Sequence, residues 1–178
     1  TATISRVLED EGMRVAILAQ PNWKTNEDFT RFGRPRLGFM VNSGNVDSMV
    51  AHYTAAKKKR SEDAYSPGGK AGLRPDRALT VYCKKIREIY GNIPIIVGGL
   101  EASLRRFAGY DYWKDEVIES VLVSSGADIL TYGMGGNIIR KIAALLDKGV
   151  PISKIRDVRG TVWLGNRGDK IHFDYSGE

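Results

Sequence analysis

The sequence is short of the residues that most often announce chemistry. Among 178 residues there is one cysteine, Cys83, and two histidines, His52 and His172. A single thiol excludes an intrachain disulfide and any metal site built from several cysteines of this chain, and it suits a reducing, cytoplasmic setting. Cys83 falls within an amphipathic helical pattern, where its simplest role is a small buried side chain. Neither histidine has a near partner at metal-ligand spacing, so both are expected at the surface or in packing. No run of about 18 consecutive apolar residues occurs, so no membrane-spanning helix is expected. A secretory signal, a Gly-Lys-Ser/Thr phosphate loop, a serine in a nucleophile elbow, an internal repeat and a low-complexity tract are also missing.

What is present is ordinary for a folded domain: 42% hydrophobic and 27% charged residues, enough for one sizeable core. The formal charge of +6 gathers at Lys57-Lys58-Lys59-Arg60 and in residues 148–159. Such a spread predicts a mildly basic solvated surface rather than a nucleic-acid partner. The chain opens at Thr1 straight into a helical pattern, and a portion of a longer protein is expected.

Strands and helices alternate. Ile4, Val7 and Leu8 recur at helical spacing up to Gly12, and Arg14-Val15-Ala16-Ile17-Leu18-Ala19-Gln20 follows as an expected strand that Pro21 stops. This is the second half of a crossover unit, which a strand preceding Thr1 would complete. Residues 23–32 and 46–53 predict short helices, and Leu37-Gly38-Phe39-Met40-Val41-Asn42-Ser43 a strand running into Gly44. Residues 55–77 are polar and basic with several glycines and prolines, a loop long enough to be functional or mobile. Residues 80–90 return to helix, closed by Gly91. Ile93-Pro94-Ile95-Ile96-Val97 is apolar without alternation, as suits a strand covered on both faces, and it ends in Gly98-Gly99. Residues 115–123 predict a helix, residues 128–132 a strand entering Gly133-Met134-Gly135-Gly136, and residues 137–146 the clearest amphipathic helix. Residues 158–164 and 170–175 predict a hairpin around Asn166-Arg167-Gly168-Asp169. The expected fold class is α/β: a three-layer, flavodoxin- or Rossmann-like domain with a mostly parallel sheet over residues 1–157. A small C-terminal β appendage, or the start of a linker, is expected over residues 158–178.

In such a fold the carboxyl ends of parallel strands share one edge, where ligands gather. Ser43 and Gly44, Gly98 and Gly99, and Gly133 and Gly135 are therefore candidate ligand-binding residues. Gly98 and Gly99 either let a ligand approach the main chain or simply serve a tight turn. Glu101 is the one carboxylate directly at the central strand end. Arg105 and Arg106, beside Tyr110, Tyr112 and Trp113, either grip an anionic or planar ligand or fasten their loop through ion pairs with Asp111 or Asp115. Gly133-x-Gly135 lacks the third glycine of a dinucleotide fingerprint.

Several stretches together resemble a known family. Val97-Gly98-Gly99-Leu100-Glu101-Ala102-Ser103-Leu104-Arg105-Arg106 with Tyr110-Asp111-Tyr112-Trp113 resembles the amino-terminal region of YgiQ-type radical S-adenosylmethionine (SAM) proteins. So do Gln20-Pro21-Asn22-Trp23, Ser43-Gly44-Asn45-Val46-Asp47-Ser48-Met49, Asp63-Ala64-Tyr65-Ser66-Pro67 and Arg74-Pro75-Asp76-Arg77-Ala78. The resemblance runs to about Arg159 and, in wider outline, is similar to the cobalamin-binding-type domain preceding many radical SAM barrels. It implies a parent chain continuing into a barrel that uses S-adenosylmethionine and an iron–sulfur cluster on three cysteines. Cys83 alone cannot hold that cluster. Cobalamin is a further implied cofactor: Gly98 and Gly99 match the glycine pair at the nucleotide tail. The histidine motif of true cobalamin domains is missing, however, and Gly136 replaces a family glutamate. No catalytic or metal-ligating residue is expected here. Three roles remain open: an accessory domain that caps the barrel or helps hold an unidentified substrate, a cobalamin-binding module, or a purely structural domain.

Overall fold

The computed structural model describes residues 1–169. His172 and the second strand of the expected terminal hairpin, residues 170–175, lie outside the described residues. The chain runs through α1 (Ala2–Asp10), α2 (Glu27–Thr30), β1 (Phe39–Val41), α3 (Ser48–His52), α4 (Ala78–Tyr90) and β2 (Ile95–Val97). It continues through α5 (Gly99–Leu104), β3 (Gly109–Asp111), β4 (Glu116–Ile118), α6 (Val121–Ser125), β5 (Ile129–Thr131), α7 (Gly135–Asp147) and β6 (Thr161–Trp163).

The main sheet has the order β1-β2-β5-β6. The first three strands are parallel, with Val41 opposite Val97 and Val97 opposite Leu130. β6 closes the edge antiparallel, Thr131 opposite Thr161, so the strand expected within residues 158–164 belongs to the main sheet. Alternation divides the central strands between two layers. Ile95, Val97, Val41 and Leu130 pack under α4 and α6, while Ile96 and Ile129 pack under α7 and α1. Ile95, Ile96 and Val97 are at most 2% exposed, which is why the run carries no polar alternation. Each such side chain contributes about 1.5–3 kcal/mol by burial.

Three expectations are corrected. Residues 14–20 form no strand and pair with none, and Gln20 takes a left-handed φ of 47. Residues 115–123 form no single helix: Glu116–Ile118 pairs with Gly109–Asp111 as an antiparallel hairpin, and only Val121–Ser125 is helical, capped by the Ser120 side chain. Asp115 takes the left-handed conformation at the hairpin turn (φ 58), which Asp tolerates better than most residues. Residues 55–77 are tied down rather than loose. Bridges join Tyr53 to Lys59 and Glu62 to Lys70. Asp76, near the end of the loop, bonds both His52 Nδ1 and Tyr53 OH at 2.7 Å.

Candidate functional site

Parallel register brings the expected turns to one rim. The Gly98 N–H donates to Val41 O at 3.0 Å. A Cβ on Gly98 would sit 2.6 Å from Thr131 Oγ1, and one on Gly99 3.2 Å from Asn42 Cβ. Gly98 is extended (φ −161), so its reason is the close approach of β5; Gly99 combines close approach with φ +85. Residues 42–44, 98–99 and 131–133 therefore meet along the carboxyl edge of β1, β2 and β5.

The β1 end of this rim is filled by the chain itself. Arg74 is 6% exposed and Asp63 is 3% exposed; two guanidinium N–H groups reach the two carboxylate oxygens at 2.8 Å each. The third contact of Arg74, Nη1 to Ser43 O at 3.2 Å, fixes the turn that carries Ser43 and Gly44. Burial alone would raise the Asp63 carboxyl, but the Arg74 guanidinium, the Ser66 hydroxyl and the Tyr65 N–H outweigh it and hold it below the usual carboxylate value. Ser66 in turn accepts from Gln20 Nε2 at 2.6 Å.

Beside it lies a second closed network. Arg105 donates to Asp47 at 2.6 Å and Asp111 at 3.1 Å, and Arg77 reaches the other Asp111 oxygen at 2.9 Å. Burial would raise Asp111; the Lys114 N–H, the Arg77 bond and the charges of Arg77 and Arg105 hold it low. Asp47 also caps α3, accepting from Met49 N and Val50 N. Glu101 is 1% exposed and accepts from Ser48 N at 2.8 Å and Leu79 N at 3.4 Å. It thus serves the N-termini of both α3 and α4, and α4 has no side-chain cap of its own. Glu101 and Arg105, expected at the ligand edge, are turned inward. Their charged groups are consumed by helix N–H groups and carboxylates, and the fastening role of Arg105 is the one realised.

The β2–β5 end differs. Arg106 has no carboxylate partner among the described residues. Its Nη1 donates to Ser103 O at 2.5 Å, and its guanidinium lies 5.0 Å from the Phe107 ring and 5.3 Å from the Tyr132 ring. Both rings are exposed, as are Leu100 and Leu104 of the preceding α5 and Met134 two residues beyond Tyr132. Gly133 (φ +72) has open space about its Cα, whereas Gly135 packs on Ile4 of α1. Sequence reasoning missed Asp63 and Arg74 as a pair, and Tyr132 as a neighbour of Arg106. The stretches at residues 63–67 and 74–78 drew attention to Asp63 and Arg74 separately, without pairing them.

Cofactor fit can be tested on the same atoms. Cys83 is fully buried and burial pushes its thiol up to about 12; one such thiol does not fit an iron–sulfur cluster. Gly98 and Gly99 are explained by Thr131 and Asn42 rather than by an open cradle. His52 is 6% exposed; its Nδ1 bonds Asp76, and its Nε2 is buried with no hydrogen-bond partner among the described residues. No described helix is long and apolar enough to cross a membrane.

Comparison with known proteins places this geometry in context. A "UPF0313 protein" of Clostridium botulinum (strain 657 / Type Ba4) is 59% identical over 92% of the chain, and one of Clostridium perfringens (strain 13 / Type A) is 53% identical over 98%. In both, the chain spans about a quarter (26%) of the relative's length. The structure of the radical S-adenosylmethionine methyltransferase TsrM from Kitasatospora setae, with tryptophan substrate and a SAM analogue bound, matches with a TM-score of 0.58. That match covers 93% of this chain and 25% of the other at 20% identity, a likeness of fold. The description "Radical SAM N-terminal" matches residues 1–175, and the chain belongs to that family.

Proposed function

We propose that this chain is the accessory amino-terminal domain of a longer radical SAM protein and presents the β2–β5 end of its rim to the catalytic part of that polypeptide. There Arg106 contributes to holding the substrate. S-adenosylmethionine and the iron–sulfur cluster belong, in this reading, to segments beyond this chain. What supports it is the distribution of the arginines. Arg74, Arg77 and Arg105 are neutralised by the domain's own carboxylates, whereas Arg106 is left between two exposed rings, with Leu100, Leu104 and Met134 also uncovered. Exposed apolar groups around an unneutralised cation fit a contact surface better than a solvated one.

The test is made in the full-length protein. Leu104→Asp with Phe107→Asp should speed hydrogen exchange over residues 99–107 by about tenfold or more, while Ile95–Val97 stays protected. Unchanged exchange at 99–107 would remove the docking role. Arg106→Ala should weaken substrate binding and leave substrate-free S-adenosylmethionine cleavage intact. Equal loss of both, or of neither, would remove the substrate-holding role.

A further inference from the structure

The stretch Gln20-Pro21-Asn22-Trp23 forms one wall of a cleft. Gln20, Trp23 and Lys24 line it from one segment, and Pro67 and Leu73 from the loop of residues 55–77; its volume is about 450 Å³. Sites for small molecules run from about 300 to 1,000 Å³, mostly apolar with a few placed polar groups. The apolar part here is Trp23, which also packs against the core, and Leu73, which is 38% exposed.

Hydrogen-bond polarity fixes what the cleft offers. Asp63 is held as a carboxylate by Arg74, so it only accepts. Ser66 therefore donates its one hydroxyl proton to Asp63 Oδ2 at 2.7 Å and must accept from Gln20 at 2.6 Å. Within the Gln20 amide only the NH2 group supplies that bond, so the amide oxygen is turned away from Ser66 and accepts from no group among the described residues. The neighbouring polar groups are already engaged. Asp28 accepts from the Asn22 N–H and from Arg31 at 2.7 Å each, and Asn22 Oδ1 accepts from the Lys24 N–H at 3.2 Å. The Lys24 ammonium lies 5.6 Å from the centre of the Trp23 ring. Gln20 itself is strained: φ is 47 directly before Pro21, where its own Cβ and the following proline ring both oppose that conformation. Such strain persists where the surroundings enforce it, and here the bond to Ser66 holds the amide in place.

One fixed acceptor beside an indole and an aliphatic wall suits a planar ring with a hydrogen-bond donor on its edge. We infer that this cleft binds a planar nitrogen heterocycle bearing an amino group, its ring against Trp23 and Leu73 and its amino group donating to the Gln20 oxygen. The inference stands apart from the role given to Arg106.

The probe is 2-aminopurine riboside, whose fluorescence is quenched on stacking, titrated into the full-length protein. Purine riboside, which lacks only the amino group, serves as competitor. Quenching should saturate, and purine riboside should bind at least about threefold more weakly. Gln20→Met should bring the two ribosides to equal affinity. Leu73→Trp, which fills the cleft from an exposed position, should weaken both by about tenfold or more. Quenching that does not saturate overturns the inference. So does a smaller preference for the amino compound, a preference that survives Gln20→Met, or binding that survives Leu73→Trp.

Discussion

The two ends of the rim are built from the same residue types and differ in how far their charges are satisfied. At the β1 end, Arg74 meets Asp63 in a bidentate pair almost wholly out of water, and the loop of residues 55–77 is held over Ser43 as a result. At the β2–β5 end, Arg106 is backed by rings and one carbonyl. An arginine with its own carboxylate behaves as a fastener, because breaking the pair strands a buried charge. An arginine backed by π faces keeps its outer donors available. Adjacent Arg105 and Arg106 fall on opposite sides of this division.

Breaking the closed end should cost the most. Arg74→Ala leaves Asp63 buried without its cation and should lower unfolding stability by about 3–5 kcal/mol, measured by denaturant titration. The loss should depend on pH in a defined sense. The Asp63 carboxyl is held low in the folded state, so its contribution is present above the unfolded value of about 4 and disappears as pH falls through the folded value. The stability gap between wild type and Arg74→Ala should therefore be widest near neutrality and narrow below about pH 4. Glu101→Ala, which orphans the Ser48 and Leu79 N–H groups, should cost about 2–3 kcal/mol. Far-ultraviolet circular dichroism should show frayed helix along with that loss. Gly98→Ala presses a methyl against Thr131 Oγ1 and should cost about 1–3 kcal/mol; a Thr131→Ala background should recover part of it in the same titration. The neighbouring pair sharpens the contrast most finely. Arg105→Ala should lower stability by about 1–2 kcal/mol, whereas Arg106→Ala should stay within about 0.5 kcal/mol, both read from thermal or denaturant midpoints.

The sheet was legible in the sequence because its central strands are unbroken apolar runs that stop at glycines. Helix ends were legible for a similar reason: Gly12, Gly91, Gly126 and Gly149 all have positive φ. The hairpin Gly109–Asp111/Glu116–Ile118 was not. Its anchor, Asp111, is held by Arg77 from far away in the sequence, and an acidic residue before Val117 and Ile118 also reads as a helix start. The convergence of three turns on one rim followed from parallel strands. Which turns are open did not follow, because that depends on where Arg74 and Asp63 meet through a loop with no periodicity. Glu101 shows the same gap. A carboxylate at a strand end is equally a ligand group or a helix cap, and only the positions of the Ser48 and Leu79 N–H groups decide between them.

The burial of Cys83 has a chemical consequence for the folded domain. Its sulfur is shut beneath the α4–α6 layer and stays protonated at every physiological pH. Once folded, such a domain offers a metal ion no thiolate to capture and an oxidant no exposed sulfur to attack.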